Sequence, residues 1–280
     1  MIEVKDRVPT YPGRVKLIPV AGQANTYDLV RADEPIEAGT PINKALFQSL
    51  LADIDAIRQQ VNDKILELSQ RVRVGDLVDG AEFGLYESGV LVPFIKLASS
   101  YNGEATPLVI RKNCVSQSTL LETSEVSYTN CKIDRWLSAT YLPRLDTATR
   151  SVIPNATIIT TGTSGTTTIQ RKIFLLSLTE YQMSSTAGIP SEGNYVSYLS
   201  SAARRTARLN GTLVNHWTRS VDSLRNIAAY VNTSGNHATG APSTVSAGIR
   251  PAFRLPPDFE VTTSIPSTSN TMATTEELPS

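Results

Sequence analysis

The longest uninterrupted pattern in the chain runs from Ile42 to Arg73, where neither glycine nor proline occurs. Within it Leu50, Ile54, Ile57, Val61, Ile65, Leu68 and Val72 step by 4, 3, 4, 4, 3 and 4 residues, which is two eleven-residue repeats. That period keeps the apolar seam on one side of a straight or slightly right-handed helical bundle. Thr40 suits the N-cap, and Pro41 suits the first helical position, where its missing N–H costs nothing. A helix of about thirty residues would be roughly 45 Å long, and its narrow seam must be buried against something. Packing on its own domain would satisfy the seam. No second long helix is predicted nearby, however, so residues 41–74 are expected to form a self-associating helical stalk. A homotrimer is expected, although the spacing alone does not set the number of strands.

Residues 1–40 contain Pro9, Pro12, Gly13, Pro19, Gly22, Pro35 and Gly39, a density that forbids a long helix. Arg14–Leu17 and Thr26–Val30 are short strand candidates. Two such strands are marginal alone, so this extended attachment arm is expected to dock on a partner protein or on another copy of the chain.

Residues 75–258 form the main domain, with strands predicted around Leu91–Leu97, Leu108–Arg111, Thr157–Thr160 and Lys172–Leu176. A turn over Thr161–Thr166 would fold one strand onto the next, and Gly248–Leu255 reads as a closing strand with Pro251 at an edge or bulge. Short helices are expected over Asp134–Thr140 and Leu178–Met183. The predicted fold class is therefore α+β, with long polar loops available for contact. Residues 259–280 read as a Ser/Thr-rich tail, disordered or weakly stranded.

The 280-residue chain has 26 basic and 26 acidic side chains and two histidines, so no net field recruits nucleic acid, an anionic membrane or an acidic substrate. No run of about 18 apolar residues is present to span a bilayer. The N-terminus lacks a basic start and apolar core, so assembly in a cytoplasm is expected. Cys114 and Cys131 lie in no CxxC pair and read as free thiols, with a disulfide the lesser alternative. No metal or cofactor is predicted. HExxH, GxSxG, P-loop and GxGxxG motifs are absent and no carboxylate pair is marked by spacing, so no catalytic residue is assigned and the chain is not read as an enzyme.

The richest group of hydrogen-bonding side chains lies late in the main domain. Asn215, His216, Asp222, Arg225, Asn226, Tyr230, Asn232, Asn236 and His237 combine amide, imidazole, charged and aromatic groups that suit sugars or protein surfaces. A solvated loop would have the same composition. Trp217 and Arg219 read as a buried clamp, and Arg204, Arg205 and Arg208 as a local positive cluster on a solvated face.

Two regions carry a resemblance. Val4–Val15, Tyr27–Pro35 and Gly39–Asn43 resemble the N-terminal attachment segment of tail-tip and tail-fibre proteins in phages and prophages of Gram-positive bacteria. Val92–Ile95, Leu108–Lys112, Arg135–Leu137, Arg171–Ser177, His216–Ser220 and Gly248–Phe253 are similar, in order, to a C-type-lectin-like head domain of phage and bacterial surface proteins. The resemblance implies a C-type-lectin-like head preceded by an extended arm and a long self-associating helix, located in the virion tail. It also implies a receptor-binding function, with virion tail or baseplate proteins as partners of the arm and a host cell-surface glycan or protein as partner of the head. The alternative is a structural baseplate or decoration protein whose head packs against other virion proteins. In some phage lectin-like proteins the C-terminal zone is the target of a diversity-generating retroelement. The chain departs from the calcium-binding triplets of animal C-type lectins, because Trp217 is followed by Thr-Arg and Glu-Pro-Asn does not occur. Formylglycine-generating enzymes share a related fold, but Cys114 and Cys131 do not sit in their motifs.

Overall fold

Short strands and one long helix divide the chain at Ile65 into two compact units, residues 1–65 and 66–280. The computed structural model describes residues 8–9, 15–31, 35–37, 44–120, 127–162, 165–183, 189–222 and 226–265.

In the first unit the two strand candidates pair with each other. Val15–Pro19 and Tyr27–Arg31 form an antiparallel hairpin with Leu17 opposite Leu29. Its Leu17, Ile18 and Tyr27 side chains stay exposed. Val8–Pro9 pairs with Pro35–Glu37. The helix then runs over Lys44–Ser69. The Thr40–Pro41 entry lies outside the described residues. Leu50, Ile54, Ile57, Val61, Ile65 and Leu68 are all exposed, at 43% to 60% of their surface.

The predicted stalk extends to residue 74, but the helix ends at Ser69, whose hydroxyl donates to the Leu66 carbonyl. Arg71–Arg73 is instead a strand, with Val72 opposite Val261 of the Glu260–Thr262 strand. The Arg-Val-Arg alternation has period two, so one apolar side chain turns inward between two exposed arginines. At the start of the predicted tail Glu260–Thr262 is thus a strand, one of the two forms expected there, with Val261 buried. Residues 266–280 lie outside the described residues.

The second unit has two main sheets. The larger has seven strands in the order Ile173–Phe174, Ala252–Arg254, Leu108–Arg111, Val90–Ala98, Glu82–Glu87, Glu260–Thr262 and Arg71–Arg73, all antiparallel. The smaller has five, in the order His237–Gly240, Ile227–Val231, His216–Asp222, Ala247–Ile249 and Ser116–Ser118. With helices over Lys132–Trp136 and Thr147–Val152, the unit is α+β. Ser88–Gly89 joins two paired strands through left-handed backbone at both positions, as does Asn210–Gly211, the geometry that matches strand twist in a two-residue hairpin.

Gly248–Leu255 is not one strand. Ala247–Ile249 belongs to the smaller sheet and Ala252–Arg254 to the larger, and the chain crosses at Arg250–Pro251. Proline has no N–H to donate to a ladder, so it falls where pairing changes partner. Arg250 Nε donates to the Arg111 carbonyl at 2.9 Å, and the Arg111 N–H donates to the Pro251 carbonyl at 2.9 Å, which ties the two sheets at the crossing. Leu178–Met183 is also not a helix. Ser177 and Glu180 exchange the two hydrogen bonds of a capping box, but Gln182 takes a φ of 53° and stops the helix after one turn.

Candidate functional site

The late loops stand on a strand that is buried along its whole length. All seven residues of His216–Asp222 are interior. Trp217 donates its indole N–H to the Ser118 carbonyl at 2.8 Å, and its ring meets Tyr230 edge-on with centroids 5.6 Å apart. Arg219 grips Glu180 through two parallel hydrogen bonds of 2.7 Å, with both side chains fully enclosed. It also donates to the carbonyls of Ile159 and Leu175. Burial alone would lower the arginine pKa, but the facing Glu180 carboxylate overrides it and raises the value.

Around this pair lies a polar network that sequence reading missed. The Tyr101 hydroxyl donates to Glu180 at 2.6 Å, and burial together with that carboxylate holds the phenol well above its ordinary pKa. Glu192 accepts from the Thr161 and Ser220 hydroxyls, and burial raises its carboxyl pKa. Gly193 closes over the pair with a φ of 85°, and a Cβ there would stand 2.7 Å from a Glu180 oxygen. The Ser177-x-x-Glu180 spacing is the one local signal of this network. Its partner Arg219 lies 39 residues further on.

The nine predicted binding residues separate into interior, turn-forming and accessible groups. His216 and Asp222 are buried, so neither reaches a surface ligand. The His216 ring sits 3.2 Å from the Tyr181 hydroxyl, and burial, with the nearby Arg250 charge, lowers its pKa well below the usual imidazole range. Asn232 builds the tip between its two strands, its side-chain oxygen accepting from the N–H groups of Ser234 and Asn236. Asn215 accepts from the Thr233 N–H at 3.1 Å and so pins the same tip. Asn226 and Asn236 are exposed, while Tyr230 and His237 are half-buried, and burial lowers the His237 pKa. Arg225 lies outside the described residues. The structure thus brings Asn215, Asn232 and Asn236 together around one turn and leaves Asn236, Tyr230 and His237 as the nearby groups able to hydrogen-bond or stack with a ligand.

Both cysteines are buried, and neither is in a disulfide. Burial pushes the Cys114 thiol up to about 12. The Cys131 sulfur caps the Lys132–Trp136 helix by accepting from the Asp134 N–H.

No curated protein and no solved structure matches the chain. Residues 104–257 match the model of a family described as a domain of unknown function, DUF6273. The match takes in the crossing at Arg250–Pro251, the enclosed Arg219–Glu180 pair and the accessible turn, and on that match over more than half its length the chain belongs to the DUF6273 family.

Proposed function

We propose that the chain is a non-catalytic receptor-binding protein of a virion tail, with an attachment arm, a trimeric helical stalk and a C-type-lectin-like head that contacts the host surface. The observation that carries this reading is the apolar seam of the Lys44–Ser69 helix, exposed along its length in a single chain. Three copies packed along that seam would bury it and present three heads at once, so weak individual contacts would add up to high avidity. Leu17 and Tyr27, exposed on the same face of the hairpin, give the arm an apolar face to lay on a tail or baseplate protein. The resemblance of residues 4–43 to tail attachment segments supplies the virion context.

The test uses the full-length chain. Sedimentation should give a mass of three chains at micromolar concentration, and the protein should be retained on whole Gram-positive cells. Tyr230→Ala with Asn236→Ala should lower that retention. A single-chain mass counts against the stalk. Failure to bind any cell, with heads enclosed in the assembled particle, would identify a structural baseplate or decoration protein instead.

A further inference from the structure

The neutrality of the whole chain hides a local imbalance. Between Gly193 and Pro257 every basic residue is an arginine and the only acid is Asp222, which is buried. Arg219, Arg250 and Arg254 are interior, whereas Arg204 and Arg208 are exposed and Arg205 is half-buried. Among the described residues no carboxylate pairs with any of these three surface arginines. Each is held by neutral backbone acceptors instead. Arg204 donates to the Tyr198 carbonyl at 3.3 Å, Arg205 to those of Ser200 and Ser201 at 3.3 Å, and Arg208 to that of Gly211 at 2.6 Å. The guanidinium of Arg204 also lies 4.8 Å from the centre of the Tyr198 ring. Asp76 and Asp79, on the turn before the Gly80 that packs against this ring, form no ion pair with Arg204.

The backbone beneath is fixed. The Arg205 carbonyl accepts from Arg250, and the Arg208 carbonyl accepts from the Cys114 N–H. Gly235 packs so closely on Ala202 that a Cβ would meet its carbonyl oxygen at 2.0 Å, which brings the Asn232–Asn236 turn beside the arginines. Arg204 and Arg205 lie on the Ala202–Arg205 helix and Arg208 on the strand that follows, so at most about 14 Å separates the first and last of the three α-carbons.

We propose that this surface of Arg204, Arg205 and Arg208, flanked by Ser234 and Asn236, recognises an anionic polysaccharide. The inference rests on the adhesion reading and names its ligand class. Guanidinium groups present planar donor pairs that match carboxylate or phosphodiester oxygens. The exposed serine and asparagine beside them match sugar hydroxyls. The Tyr198 ring beside the arginines is covered by Arg204 and Gly80 and offers no stacking face to a base, while the exposed Tyr195 is the reason a single-stranded DNA oligomer belongs in the test.

The full-length protein is tested against polygalacturonate, which carries carboxylates, phosphomannan, which carries phosphate esters, neutral dextran, a single-stranded DNA oligomer and whole cells. Binding to at least one anionic glycan and not to dextran is expected, weakening as salt rises. Arg204→Ala with Arg208→Ala should lower that affinity about tenfold, while Arg135→Ala with Arg150→Ala, an equal loss of charge on the Lys132–Trp136 and Thr147–Val152 helices, should not. Which glycan binds identifies the anion. Binding to neither glycan, equal binding to dextran, tighter binding to DNA, or an unaffected double variant would each overturn the proposal. Cells that hold the wild type and the double variant equally would overturn this ligand assignment and leave adhesion standing. Cells that hold neither would remove the adhesion reading itself.

Discussion

Arg219 and Glu180 are a fully enclosed ion pair, and their value to the fold lies in neither being left alone. Arg219→Met should destabilise the protein by about 3–5 kcal/mol in denaturant titrations, because Glu180 keeps a buried charge without its counter-ion. Adding Glu180→Leu should cost much less than the sum of the two single changes, and strict additivity would show that they do not act as a unit. Glu192 behaves differently. Its pKa is raised in the folded protein, so above its ordinary unfolded value the native state holds a proton more tightly than the unfolded chain does. Stability due to this group therefore falls as pH rises from the unfolded toward the folded value. Glu192→Gln should flatten the stability profile in that window, and an unchanged slope would refute the assignment. Beyond the Arg219 clamp and Ser177-x-x-Glu180, none of this network was legible from the sequence, because its members are joined by folding across separations such as the 79 residues from Tyr101 to Glu180.

Among the elements, legibility depended on whether a segment met one environment or two. Leu108–Arg111 is a strand over the residues its composition picks out, since it lies inside one sheet and is buried throughout. Gly248–Leu255 alternates like one strand but serves two sheets, and nothing local except Pro251 marks the division. Of the candidate binding residues, composition found the turn but could not separate its builders from its accessible groups. Asn232 and Asn236 look alike in the sequence, yet one folds the tip and the other faces solvent. The seating of that tip can be tested at Gly235, where φ is 75° and the space for a side chain is taken by the Ala202 backbone. Gly235→Ala should cost at least about 2 kcal/mol and reduce polyanion binding, whereas Gly89→Ala, with no atom in the way, should cost only the strain of its left-handed backbone.

For the whole molecule, the exposed seam of the long helix is the feature with the largest consequence. Ile54→Asp with Val61→Asp places charge at the centre of the proposed stalk. The variant should sediment as a single chain while its head still unfolds cooperatively at an unchanged denaturant midpoint. A trimer that survives both changes would place the contact elsewhere. The pairing of Arg71–Arg73 with Glu260–Thr262 bears on this architecture as well. A pull on the tethered N-terminal side of the chain would enter the head through a three-residue edge strand. That strand can peel from Val261 before the sheets behind it part. If the chain works as the proposed adhesin, a particle tugging on bound heads would load this three-pair ladder first, making the short edge a mechanical fuse.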